Sequence, residues 1–255
     1  MSTCVTFSIP LLDSLLPDCF PRNSFVLLFG EGGTGKSATL IQMAGEKMRG
    51  GEPSVYLTFD DSASSVINSF IRLGYDCNKA LEEGKLRIID CFSFRGAVAS
   101  KPHPGIWVVN NPKDHHELTG VLRSAVEGIS DFGFVFIDSL TEFFTMSEPT
   151  SAIETIKNWR AELCKFMNIT VLASYHVGVK SIDEYAGMLD YASDGVIDFR
   201  FDPMMEQQGL LVRQLRIRKM KGASHGTEWR YFVVEKRGVV ELKHHLPKPT
   251  DDSQR

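Results

Sequence analysis

Ser24-Phe25-Val26-Leu27-Leu28-Phe29 runs directly into Gly30-Glu31-Gly32-Gly33-Thr34-Gly35-Lys36-Ser37, and the segment Ser37 to Arg49 that follows repeats Leu40, Ile41, Ala44 and Met48 at helical spacing before Gly50-Gly51. A short apolar run bounded by turn residues reads as a buried strand, and a glycine pair after the last periodic residue ends a helix. Strand, glycine loop and helix form the setting in which the pattern G-x-x-x-x-G-K-[ST] holds phosphate. The glycines let successive backbone N–H groups turn toward the anion, Lys36 brings a charge to the β/γ-phosphates, and the Ser37 hydroxyl suits Mg²⁺. Gly30, Glu31, Gly32, Gly33, Thr34, Gly35, Lys36, Ser37 and Ala38 are the expected residues around a nucleoside triphosphate.

The same alternation continues outward. Ser54 to Phe59, Leu86 to Cys91, Phe134 to Ile137 and Ile169 to Ser174 read as buried strands, with helices over Ser62 to Leu73, about His116 to Ile129 and about Ser151 to Met167. Continuous apolar strands separated by amphipathic helices predict a mainly parallel central sheet covered on both faces, an α/β fold. Past Ser174 the strands Val196 to Phe201, Leu210 to Met220, Trp229 to Val234 and Val239 to Leu242 are closely spaced, which predicts an antiparallel C-terminal extension of that sheet. The organisation expected is one domain over 1–246 and a polar tail over 247–255. Ser93 to Asp114, with Pro102, Pro104 and Pro112, reads as a long loop.

Composition narrows the classes. In 255 residues, 28 Lys+Arg stand against 32 Asp+Glu, a formal net charge of -4, so nucleic-acid binding would need a local basic patch. The five cysteines, Cys4, Cys19, Cys77, Cys91 and Cys164, are odd in number and never spaced C-x-x-C, so they read as reduced and mostly buried. No run is long and apolar enough to span a membrane, and a cytoplasmic protein is expected.

A phosphate loop needs a second carboxylate to hold Mg²⁺ or its water. Asp138, at the end of Phe134-Val135-Phe136-Ile137-Asp138, is where a neighbouring strand delivers it. Together these motifs resemble the RecA superfamily, and most closely its KaiC branch. Ile9-Pro10-Leu11-Leu12-Asp13 ahead of Phe20-Pro21-Arg22-Asn23-Ser24 is similar to that family's lead into the phosphate loop. Asp138-Ser139-Leu140, Ala192-Ser193-Asp194-Gly195-Val196-Ile197 and Lys219-Met220-Lys221-Gly222-Ala223-Ser224-His225 resemble three further signatures. The resemblance spans about residues 5 to 242 and implies a RecA-like P-loop fold, one KaiC-type domain of an archaeal kind, and ATP with Mg²⁺ as ligands.

It also implies roles. A pair of glutamates after the family's second strand polarises the attacking water; here Asp60 and Asp61 stand there. Two carboxylates at the carboxyl end of a parallel strand lie where ligands sit, but each is a methylene short, and a misplacement of about 1 Å costs on the order of a hundredfold in rate. Slow hydrolysis and binding alone are both open, and Asp61 is also placed to cap the helix starting near Ser62. Ser174 fits the family's polar sensor of the γ-phosphate, whereas Tyr175 departs from the pattern. The segment with Lys219, Lys221 and His225 resembles the stretch that, in KaiC-type rings, reaches the neighbouring subunit's nucleotide. Lys221 replaces the usual arginine and lacks its bidentate fork.

Three functions follow. The first is a slow Mg-ATP hydrolase that uses nucleotide state to switch assembly, as a homo-oligomer such as a hexameric ring, or to switch binding of a protein partner. The second is a non-hydrolysing, ATP-gated module of the archaeal motor type. The third, a RadA-paralog-like binder of single-stranded DNA, draws on Arg213, Arg216, Arg218, Lys219 and Lys221, but no aromatic is interleaved among them to stack bases.

Overall fold

The computed structural model describes residues 4–96, 103–129, 132–178, 180 and 183–242. The chain enters through β1 (Cys4–Val5), α1 (Pro10–Leu15) and β2 (Phe20–Pro21), with β1 and β2 forming a small antiparallel pair. Then come β3 (Phe25–Gly30), α2 (Lys36–Arg49), β4 (Ser54–Thr58), α3 (Ala63–Arg72), α4 (Cys77–Glu82), β5 (Leu86–Asp90) and β6 (Ile106–Val108). They are followed by α5 (His115–Val126), β7 (Phe134–Asp138), α6 (Leu140–Met146), α7 (Pro149–Trp159) and β8 (Thr170–His176). The last part comprises α8 (Asp183–Ala192), β9 (Gly195–Phe201), α9 (Pro203–Gln207), β10 (Arg213–Met220), β11 (Arg230–Glu235) and β12 (Gly238–Glu241).

Ten strands make one sheet in the order β12-β11-β10-β9-β3-β8-β7-β4-β5-β6. From β9 to β6 every pairing is parallel, and β10, β11 and β12 add antiparallel to β9, the mixed arrangement the spacing predicts. β3 is central and fully buried, and its alternate side chains feed two cores. Val26 and Leu28 face Leu40 and Ala44 of α2, while Phe25, Leu27 and Phe29 pack with the residues around Phe143, Trp159 and Val171. The sheet's connections diverge on either side of β3, and that is where an open α/β sheet forms its ligand crevice.

Three expectations are corrected. The stretch Ser93 to Asp114 is not all loop, because Ile106–Val108 pairs parallel with β5 as the edge strand; positions 97–102 lie outside the described residues. Three residues carry too little periodicity to announce a strand, so only the pairing partner reveals it. The cysteines are not all reduced: Cys4 and Cys19 form a disulfide, with Cα atoms 5.6 Å apart, while Cys77, Cys91 and Cys164 are free and buried. Pairing of β1 with β2 sets Cys4 opposite Pro21 and so brings the two thiols together, a juxtaposition that no local spacing encodes. The helix read over Ser151 to Met167 also changes character, since α7 gives way to a π-helical turn over Arg160–Phe166.

Candidate functional site

The phosphate loop is made by backbone that only glycine supplies. Gly33 and Gly35 hold φ of +79° and +102°, and a Cβ on Gly30 would fall 2.4 Å from the carbonyl oxygen of Phe199 on β9. Lys36, the first residue of α2, is buried and donates from Nζ to the carbonyls of Gly30 at 2.7 Å and Glu31 at 2.8 Å. Burial lowers its ammonium to about 8, against the pull of Asp138, Asp60 and Glu31. Arg213 of β10 donates to the Gly33 carbonyl at 2.9 Å, and the Phe201 ring lies beside the same glycine. Neither contact is legible in the phosphate-loop motif, because both come from strands far along the chain, β9 and β10.

Asp138 ends β7 two strands from β3, and hydroxyls surround its carboxylate. Ser37 donates to Oδ1 at 3.2 Å, Ser174 donates to the same oxygen at 2.5 Å, and Tyr56 of β4 donates to Oδ2 at 3.0 Å. Ser37 and Asp138 therefore share a hard, all-oxygen pocket of the kind Mg²⁺ takes, with phosphate and water completing its shell. No group of three or more His, Cys, Asp and Glu among the described residues is disposed to hold a metal by itself. The donor set thus fits a cation that arrives with a nucleotide. Ser174, named from sequence as the sensor, is buried and turned onto Asp138. His176 lies beside the loop lysine, its Nδ1 3.3 Å from Lys36 Nζ and its backbone N–H donating to Thr141 Oγ1.

Asp60 and Asp61 follow β4 at the same end of the sheet. Asp60 is exposed, yet the surrounding protein lifts its carboxyl to about 6 through burial, with Asp138, Glu142 and Asp61 adding to the rise and the neighbouring Ser139 opposing it. Asp61 is raised by burial and by Asp138. The α3 cap is Ser62, which accepts from Ser65 N, so Asp61 has no capping duty.

The segment from Lys219 to His225 lies elsewhere. Gly30 pairs with Phe199 of β9, whereas Met220 pairs with Gly195, about 13 Å down the same strand at 3.3 Å per residue. Lys219 is tied to the backbone and carboxylate of Asp190, and Lys221 falls in the turn after β10 with Nζ 4.0 Å from Asp194. His225 Nδ1 is 3.3 Å from the Ala223 carbonyl. The two lysines do not converge on one place as an uninterrupted strand would have them do, because β10 ends at Met220 and leaves Lys219 on Asp190 and Lys221, in the turn, near Asp194.

The basic strand finds an aromatic after all, from outside its own sequence. Arg200 of β9 and Arg216 of β10 lie over the Trp229 ring, 3.8 and 4.5 Å from its centroid. Arg216 and Arg218 also pair with Asp198, and Arg218 pairs with Asp190, so much of the charge there is spent within the chain.

Comparison with known proteins agrees with this architecture. The family model described as "ATPase: KaiC" matches residues 5–245. A UPF0273 protein of Methanocaldococcus jannaschii is 30% identical over 239 residues, covering 92% of this chain and 95% of the relative. One from Thermotoga maritima is 28% identical over 239 residues, covering 92% and 94%. The crystal structure of a KaiC-like protein from Pyrococcus horikoshii superposes with a TM-score of 0.73 at 22% identity, covering 94% of this chain and 98% of that one. No helix among the described residues is long and apolar enough to cross a membrane. A phosphate loop on the central strand, a hydroxyl-ringed Asp138 beside it and a match along almost the whole chain lead to one assignment: this chain belongs to the KaiC family of P-loop ATPases, with a RecA-like fold.

Proposed function

We propose that the protein binds Mg-ATP in the loop from Gly30 to Ala38, hydrolyses it slowly to ADP and phosphate, and uses nucleotide state to govern contact between copies of itself. The observation that carries the reading is the position of Asp60, exposed and near enough to Lys36 and Asp138 for their charges to interact. Lys36 and the loop N–H groups bind the phosphates. Ser37 and Asp138 would hold Mg²⁺, which when bound would supply neutralisation of charge on the phosphate oxygens. Asp60 accepts a proton from water as the water oxygen bonds to the γ-phosphorus and the bond to the ADP oxygen breaks. A carboxylate with a pKa of about 6 is largely ionised at neutral pH and still basic enough for that step. Asp61 flanks it.

Assembly follows from where the finger segment lies. Lys219, Lys221 and His225 sit at the end of the sheet away from this chain's own phosphate loop, so a nucleotide they touch belongs to another copy, in a head-to-tail contact. A non-hydrolysing form of this reading draws on the short Asp60 side chain and on Lys221 lacking a fork. The test is equilibrium binding and turnover of ATP, with and without Mg²⁺, by the wild type beside Lys36→Ala and Asp138→Asn. The reading requires tight Mg²⁺-dependent binding by the wild type alone, with release of phosphate over hours; binding unaltered in Lys36→Ala would refute it.

A further inference from the structure

The five cysteines divide by position. Cys77, Cys91 and Cys164 are buried, and burial raises their thiols, those of Cys77 and Cys164 to about 12, so they stay protonated and inert. The Cys4–Cys19 bridge is only half-buried, with Cys4 Sγ 3.2 Å from the carbonyl oxygen of Asp18. Cys19 also has a strained backbone. Its φ is +130°, a conformation that a residue with a Cβ rarely takes and that persists where surrounding contacts hold it. Pro17, Asp18 and Cys19 link two core residues, Leu16 and Phe20, and the bridge ties that link to β1.

The bridged link reaches a distant part of the chain. Asp18 Oδ2 accepts from the backbone N–H of Ser224 at 3.3 Å, in the turn that follows β10. Leu15, the last residue of α1, accepts through its carbonyl from the Gly226 N–H at 2.8 Å, and a Cβ on Gly226 would fall 2.9 Å from the Leu15 side chain. The two contacts differ in what supports them. Leu15 is fixed in the core with Leu11 and Leu12, whereas Asp18 is exposed and adjoins the bridged Cys19.

We propose that Cys4–Cys19 is a reversible exchange site for a dithiol, and that opening it unfastens Asp18 from the Ser224 amide while Leu15 keeps its hold on Gly226. A thiolate of the dithiol bonds to one sulfur as the Cys4–Cys19 bond breaks, and the other sulfur leaves as a thiolate that takes a proton. The donor's second thiolate then closes the donor's own disulfide and releases the remaining cysteine. The dithiol is oxidised, and both cysteines end as thiols. This chemistry needs neither nucleotide nor a second copy. The turn it loosens belongs to the segment given above to contact between copies, so reduction also weakens assembly, a consequence that rests on that reading.

The test uses the full-length protein without nucleotide, dithiothreitol as the dithiol, and single-residue amide hydrogen exchange as the readout. Reduction is expected to speed exchange at Ser224 severalfold and to leave Gly226 unchanged, with oxidised glutathione restoring the first value. Maleimide added to the folded, reduced chain is expected to label Cys4 and Cys19 and to pass over Cys77, Cys91 and Cys164. Equal exchange at Ser224 in both states overturns the proposal. A rise shared by Ser224 and Gly226 overturns it too, since the bridge would then be a staple of the whole lobe. Asp18→Ala keeps the bridge and covers the case in which the reduced chain unfolds: Ser224 is expected to exchange fast in it before any reduction, and a slow Ser224 overturns the Asp18 contact. Light scattering in Mg-ATP reads assembly separately. A smaller particle after reduction supports the link to assembly, and reduced and oxidised chains that assemble alike overturn that link. A chain at 28.5 kDa in both states overturns the assembly reading while the exchange site stands.

Discussion

Tyr56 donates its hydroxyl to Asp138 Oδ2 at 3.0 Å from the adjacent strand β4, while Ser174 holds Oδ1 from β8 on the other side. The carboxylate proposed to hold Mg²⁺ is thus oriented by both neighbouring strands. Partners that orient a metal's ligand typically change metal affinity by about 10–100-fold when removed. Tyr56→Phe keeps the ring and deletes the donor, so the Mg²⁺ concentration for half-maximal ATP retention is expected to rise about tenfold or more. An unchanged Mg²⁺ requirement would show that Tyr56 is only packing.

Asp60 makes stability depend on pH in a defined direction. Its folded pKa of about 6 lies above the ordinary 3.8, so the folded state binds more protons than the unfolded one between those values. Stability contributed at this position is therefore retained below about pH 4 and lost as pH rises through 6. Without nucleotide, Asp60→Asn is expected to melt above the wild type at pH 7.5, with the gap closing at pH 4. ATP turnover runs the opposite way and falls as pH drops below about 6, where the base is protonated.

Lys36 carries the cost of being a buried ammonium with a pKa lowered to about 8. Its folded pKa lies below the unfolded one, so the penalty is full below pH 8 and is relieved as pH rises toward 10.5. Lys36→Met is expected to abolish ATP binding yet melt a few degrees higher than the wild type at pH 7 without nucleotide. A lower melting temperature would mean that the bonds from Nζ to Gly30 and Glu31 outweigh the burial.

The phosphate loop, the Asp138 strand and the switch from parallel to antiparallel strands are legible in the sequence because each is local: a periodicity, a glycine pattern or a spacing written within a dozen residues. What sequence reading misses is made by side chains that meet across the sheet. Arg160 reaches Asp194, Arg200 and Arg216 lie over the Trp229 ring, and the Ser174 hydroxyl donates to Asp138. His176 belongs to no phosphate-loop motif, and only the parallel pairing of β3 with β8 sets it opposite Gly30 and beside Lys36.

The disulfide is the sharpest departure. Closing a loop of about 15 residues stabilises a fold by about 3 kcal/mol in the chain-entropy account. Reduction, or Cys4→Ser with Cys19→Ser, is expected to lower the melting temperature by several degrees, with ATP binding retained because the pair lies at the small β1–β2 sheet and not in the sheet that carries the phosphate loop. Thiol counting should find three reactive groups after unfolding without reductant and five with it. Five thiols without reductant would mean that the pair is not bonded.

The most direct test is single-turnover hydrolysis of γ-labelled ATP by the wild type, Asp60→Ala and Asp61→Ala, with bound nucleotide followed in parallel. Slow release of labelled phosphate by the wild type is expected, together with retention of intact ATP by Asp60→Ala and partial activity in Asp61→Ala. A wild type that holds ATP unchanged through long incubation with Mg²⁺, or an Asp60→Ala that releases phosphate as fast as the wild type, would contradict the assignment of Asp60 as the base.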